Sequence, residues 1–129
     1  MPSRRTLRLN KYHISKDKYQ ELYYFCKQYW EREKEINFLR GLSEVVQDGM
    51  PRGSSTSDPT FRKAEKILRL REENEIIEQS AIQACPEVYQ QILKNVTEGV
   101  PYEYMIVPMG RRQFYEARRL FFKILSEKR

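Results

Sequence analysis

The sequence predicts an all-α protein: a long N-terminal helix, a flexible linker, and then a helical domain ending in a helix-turn-helix unit. Three observations carry that expectation. A charged fraction of 33% with only 5 Gly suits helices with broad solvated faces. Apolar residues recur at three- and four-residue steps through most of the chain, which is the helical period. Glycine, proline and hydroxyl residues gather into one clear linker at 48–58, and most other breakers fall where helices would start or stop.

The 129 residues fit one compact domain, or a small domain with a helical arm, and 40% apolar content is enough for a core. No apolar run is long enough to span a bilayer, and Met1-Pro2-Ser3-Arg4-Arg5 lacks the apolar segment of a signal peptide. A cytoplasmic protein with no membrane partner is therefore expected.

Residues 1–14 read as a basic arm carrying Arg4, Arg5, Arg8 and Lys11. Such an arm is either a solvated tail or a segment that tracks phosphates. Ser15 is a suitable N-cap for a long amphipathic helix over 15–47. Tyr19, Leu22, Cys26, Tyr29, Trp30, Ile36, Leu39, Leu42 and Val46 line one stripe, and Gly41 is the expected kink. That stripe either packs on the rest of the chain or forms a homo-oligomer interface, because so long a helix outruns a small core.

After the linker, Asp58-Pro59-Thr60 is a helix-start signal, with Asp58 as cap and Pro59 at the first helical position. A second long helix follows to about residue 84, with Phe61, Ala64, Ile67, Leu68, Ile77 and Ala81 as its main apolar stripe. Its middle, 69–75, is polar and reads as a solvated surface. Glu72, Glu73, Glu75 and Glu78 share that helix without a histidine, which is a poor metal site. Cys26 and Cys85 match no paired metal spacing and read as free thiols.

The helix-turn-helix is expected near 87–128. A third helix at 87–96 stops at Glu98-Gly99-Val100-Pro101. A very short helix at 102–106 follows, then the turn Val107-Pro108-Met109-Gly110 and a final basic helix. Tyr102, Met105, Val107 and Met109 are the apolar groups available to pack the last two helices. At ~100° per residue, Phe114, Ala117, Leu120, Phe121, Ile124 and Leu125 share one side of the basic helix. Arg112, Tyr115, Arg119 and Lys123 share the other, with Arg111 and Arg118 on the flank.

Charge placement narrows the partner. The net charge of +6 divides into +5 over residues 1–18, −3 over the middle and +4 over 101–129. Two basic ends around an acidic middle suit a polyanion gripped from two places, and double-stranded DNA is the expected one. The Arg112, Tyr115 and Arg119 face, which Lys123 continues, would enter the major groove, while Arg4, Arg5, Arg111 and Arg118 would neutralise phosphates. Catalysis is not expected. His13 is the only histidine, no glycine-rich phosphate loop is present, and no nucleophile is paired with a base. No cofactor is expected either.

Two segments carry a family resemblance. Thr56-Ser57-Asp58-Pro59-Thr60-Phe61-Arg62-Lys63-Ala64, after a Gly/Ser-rich linker, resembles the central signature of RinA-type phage transcriptional regulators. Pro108-Met109-Gly110-Arg111-Arg112-Gln113-Phe114-Tyr115 resembles the turn and start of their recognition helix. The resemblance spans about residues 48–129 and implies a unit similar to region 4 of bacterial sigma factors, in an activator of late phage genes. It places Arg111, Arg112, Gln113, Tyr115 and Arg119 at DNA-facing positions, and RNA polymerase becomes a candidate partner in a bacterial host. The helix before the turn is shorter than the supporting helix of that family. Two alternatives stand beside it: a protein-interaction module using the aromatics of the first helix, and a small terminase-like DNA-packaging subunit.

Overall fold

The computed structural model describes residues 12–46 and 59–129. Every regular element among them is helical: α1 (Lys16–Lys27), α2 (Tyr29–Val46), α3 (Pro59–Ala84), α4 (Tyr89–Glu98) and α5 (Arg111–Lys128). Single 3-10 turns sit at Pro86–Val88 and Tyr102–Tyr104. Among the described residues no helix is long and apolar enough to cross a membrane. Arg4, Arg5 and the rest of the arm to residue 11, and the linker at 48–58, lie outside the described residues.

The start of α1 follows from its cap. Ser15 is extended, and its Oγ accepts the backbone N–H of Lys18 at 3.0 Å. Asp17 adds negative charge in the first turn, where the helix dipole favours it. The last residues of the arm are tied to the fold: Tyr12 packs against the core and Ile14 is buried in it.

The long N-terminal helix expected over 15–47 is two helices, broken at Gln28 and not near Gly41. Gln28 donates its N–H to the Phe25 carbonyl at 3.3 Å, tightening the last turn of α1. No breaker residue marks that point. The chain divides there by what each part packs against: 12–29 and 76–129 form one compact unit, and the described residues of 30–75 another. Gly41 lies within α2 with open space where a Cβ would be, so nothing there forces a bend.

In the larger unit, α1 packs on α4 and α5, and α4 packs on α5. Tyr19, Leu22, Phe25 and Cys26 come from α1, Ile77 and Ala81 from α3, Ile92 and Val96 from α4, and Phe114, Phe121, Phe122 and Leu125 from α5. Tyr19 and Phe121 each meet the Phe122 ring edge-on at 5.0 Å between centroids, an arrangement that aromatic quadrupoles favour. Phe122 is therefore central to the core, although the apolar stripe expected from the sequence does not name it. The buried face is wider than that stripe because α1 covers α5 on its Phe122 side. Both cysteines are free thiols, Cys26 buried and Cys85 half-buried.

The smaller unit pairs α2 with the first part of α3 in antiparallel fashion. Lys66 bridges Glu35 at 2.9 Å, and Arg32 Nε donates to Asn74 Oδ1 at 2.6 Å. Asn74 Nδ2 donates in turn to Glu33 Oε2 at 2.9 Å. Asn74 lies in the polar run 69–75 that reads as solvated, yet it is only 1% exposed. An asparagine can be buried here because its amide finds both an acceptor and a donor across the hairpin. Beside it, Ile36 is buried, while Trp30, Phe38, Phe61 and Leu68 are exposed.

The assignment of Phe122 can be checked by urea denaturation. Phe122→Ala should lower stability by about 3–5 kcal/mol, well beyond the effect of Leu120→Ala on the half-buried neighbour. Equal losses from the two would place Phe122 outside the core.

Candidate nucleic-acid interface

α5 begins at Gly110, which is extended and carries no side-chain cap. The connection that leads to it, 99–110, is held at several points. Gly99 sits at φ 77, the left-handed region that suits glycine, and donates its N–H to the Asn95 carbonyl at 3.0 Å. Asn95 Nδ2 donates to the Val100 carbonyl at 2.9 Å, Gln91 Nε2 to the Ile106 carbonyl at 3.0 Å, and Tyr102 Oη to the Met109 carbonyl at 2.7 Å. Tyr102, Met105, Val107 and Met109 pack against the core, as their apolar character predicts.

The short helix expected at 102–106 is only the 3-10 turn Tyr102–Tyr104. The segment between α4 and α5 is thus a pinned strap, longer than the three- or four-residue turn of a helix-turn-helix. No separate supporting helix lies between them, and α4 itself packs on α5. The expected helix at 87–96 is the 3-10 turn Pro86–Val88 followed by α4.

The cations of α5 fall into three groups. Arg111 pairs with Glu103 of the strap and lies 5.2 Å from the Tyr115 ring centroid. Arg119 pairs with Glu116 and Lys123 with Glu127, each within one turn of the same helix. Arg112 and Gln113 are exposed and have no hydrogen bond or ion pair among the described residues. Tyr115 is half-buried, its ring edge-on to Phe114 at 5.4 Å.

Arg118 is the exception to the expected phosphate-facing role. Its Nε donates to Asn95 Oδ1 at 2.6 Å and its Nη2 to Tyr19 Oη at 3.1 Å. The guanidinium also lies 5.0 Å from the Phe122 ring centroid and 5.7 Å from that of Tyr23. The planar fork is occupied on its edge by hydrogen bonds and set close to aromatic rings, a use for which lysine is no substitute. Arg118 is half-buried and directs these donors into the fold. Near the other end of α5, Arg129 bridges Glu21 at 3.2 Å and lies over the Phe25 ring. The hydrogen bond from Lys18, followed by that from Arg129, holds the Glu21 carboxyl below its ordinary range.

Surface ion pairs of the Arg119 and Lys123 kind contribute about 0–1 kcal/mol, so their cations can be redirected to a phosphate at small cost. The open end of α5, with Arg112 and Gln113, needs no rearrangement at all. Sequence reading did not single out Asn95, Tyr19 and Tyr23 as the seat of Arg118, nor the exposed Tyr104 and Ile106 of the strap.

Replacement separates the two kinds of arginine. Arg118→Ala strands the Asn95 carbonyl oxygen and should lower stability by about 2–4 kcal/mol. Arg112→Ala should stay within about 0.5 kcal/mol of the parent. A neutral Arg118→Ala in urea titration would show that Arg118 does not join the helices.

No protein-family model, curated protein or solved structure matches this chain.

Proposed function

We propose that the chain is a sequence-specific double-stranded-DNA-binding transcriptional regulator, a late-gene activator of the RinA type working in the cytoplasm of a bacterial host. The observation that carries this reading is the open start of α5. Arg112 and Gln113 project there with no side-chain partner among the described residues, while Phe114, Phe121 and Phe122 anchor the opposite side of the helix in the core. A helix fixed in this way can enter a major groove without first being ordered. Arg112 would donate two hydrogen bonds to a guanine edge, and Gln113 would donate one to adenine N7 and accept one from its N6 amino group. Arg111, Arg119 and Lys123 would exchange their carboxylate partners for phosphates, and Arg4 and Arg5 of the arm would meet phosphates elsewhere on the duplex. Arg118 has no part in contact. It sets the angle at which α5 is presented.

A second reading rests on the exposed side chains of the 15–47 segment. Trp30 and Phe38 are both exposed, Phe38 at 63%. They suit a protein contact: a second copy of the chain, or RNA polymerase. In a regulator the two readings are compatible, with α5 holding the DNA and the aromatics holding the partner. A chain that bound only protein, or a terminase-like packaging subunit, would share the aromatics and differ in DNA preference.

The test is a binding titration over a range of salt, on random duplex and on duplexes from upstream of neighbouring operons. The wild type should prefer one upstream fragment and lose affinity steeply as salt rises. Arg112→Ala should weaken that fragment by about 1–3 kcal/mol and leave random duplex nearly unchanged. Equal weak binding to every duplex would reject a sequence reader.

A further inference from the structure

The strap before α5 has an inside and an outside. Met105, Val107 and Met109 pack against the core, whereas Tyr104, Ile106 and Pro108 between them are exposed. Tyr104 is 81% exposed and Ile106 is 92% exposed. The alternation makes an apolar ridge, and its placement is fixed from below. Gln91 holds the Ile106 carbonyl, Tyr102 holds the Met109 carbonyl, and the Tyr104 N–H donates to the Pro101 carbonyl at 3.0 Å. Apolar groups so firmly presented to solvent are suited to insertion, since little freedom is left to lose on contact.

The surroundings select the partner. The ridge leads straight into the exposed Arg111 and Arg112 and the uncapped first turn of α5, where the helix dipole adds positive charge. The nearby carboxylate of Glu103 is taken up by Arg111. An apolar edge bordered by cations fits a polyanion with an apolar interior, and duplex DNA is that partner. Isoleucine and proline are among the side chains that wedge between base steps, unstacking them and kinking the helix axis, while a tyrosine can stack on an opened base.

From this juxtaposition we infer that Tyr104 and Ile106 form an apolar wedge that opens one base step next to the bases read by Arg112. The inference rests on the DNA-binding reading above and adds to it a deformation of the DNA. It also predicts a preference for flexible pyrimidine–purine steps at the wedge position, because they unstack most easily.

The experiment uses the full chain and the preferred upstream duplex, with 2-aminopurine placed at successive positions. Wild-type protein should raise fluorescence at a single step. Tyr104→Ala/Ile106→Ala should abolish that rise and weaken binding roughly tenfold, with the salt dependence unchanged because no cation is lost. Both residues are exposed, and an unchanged urea midpoint confirms that the variant is folded. Unstacking and affinity that survive in the variant would overturn the wedge, as would lost affinity without any unstacking by the wild type. Wild-type protein that prefers no duplex would overturn the DNA-binding reading itself, a failure distinct from the other two.

Discussion

The arrangement of the larger unit depends on one guanidinium. Arg118 links α5 to Asn95 of α4 and to Tyr19 of α1, and lies close to the Phe122 and Tyr23 rings. Through the other end of the same amide, Asn95 also holds Val100, where the strap begins. One half-buried polar chain thus runs from α1 through α5 and α4 into the strap. Hydrophobic burial brings these helices together but is not directional. The hydrogen bonds from Arg118 supply direction, and so fix how far the start of α5 is rotated outward.

That constraint changes how the basic end of the chain is understood. By charge alone, residues 101–129 are a cationic block of +4. In the fold the block is divided. Arg118 is turned toward Asn95 and Tyr19, Arg119 and Lys123 pair with carboxylates of their own helix, and Arg111 leans on Glu103. Among the described residues, Arg112 and Gln113 are the polar side chains at the start of α5 that remain uncommitted. A surface with few free groups at a defined angle is better suited to discrimination than a diffuse field, which attracts any polyanion equally.

Much of the fold was legible in the sequence. The helical period, the Ser15 cap, the Gly99 stop and the inward positions Tyr102, Met105, Val107 and Met109 each follow from local chemistry that residue types reveal directly. The misses share one physical cause. The break at Gln28, the burial of Asn74 and the inward turn of Arg118 are decided by residues distant in sequence. Asn74 is accommodated by Arg32 and Glu33, and Arg118 by Asn95 and Tyr19. A helical wheel places Arg118 on a flank and says nothing of an asparagine waiting beside it. For the candidate site, Arg112 and Gln113 were legible because exposure at the first turn of a helix needs no partner. The Tyr104–Ile106 ridge was hidden by its brevity, since an in-out alternation over so few residues carries little weight beside the longer helical patterns.

The central claim is that the strap and first turn of α5 form the surface that meets DNA. Amide hydrogen exchange on the free chain and on its complex with the preferred upstream duplex tests this without any substitution. The account predicts slowed exchange across residues 104–115, with residues 30–41 unchanged by DNA. Slowing confined to 30–41, or exchange at 104–115 that is indifferent to bound duplex, would contradict it.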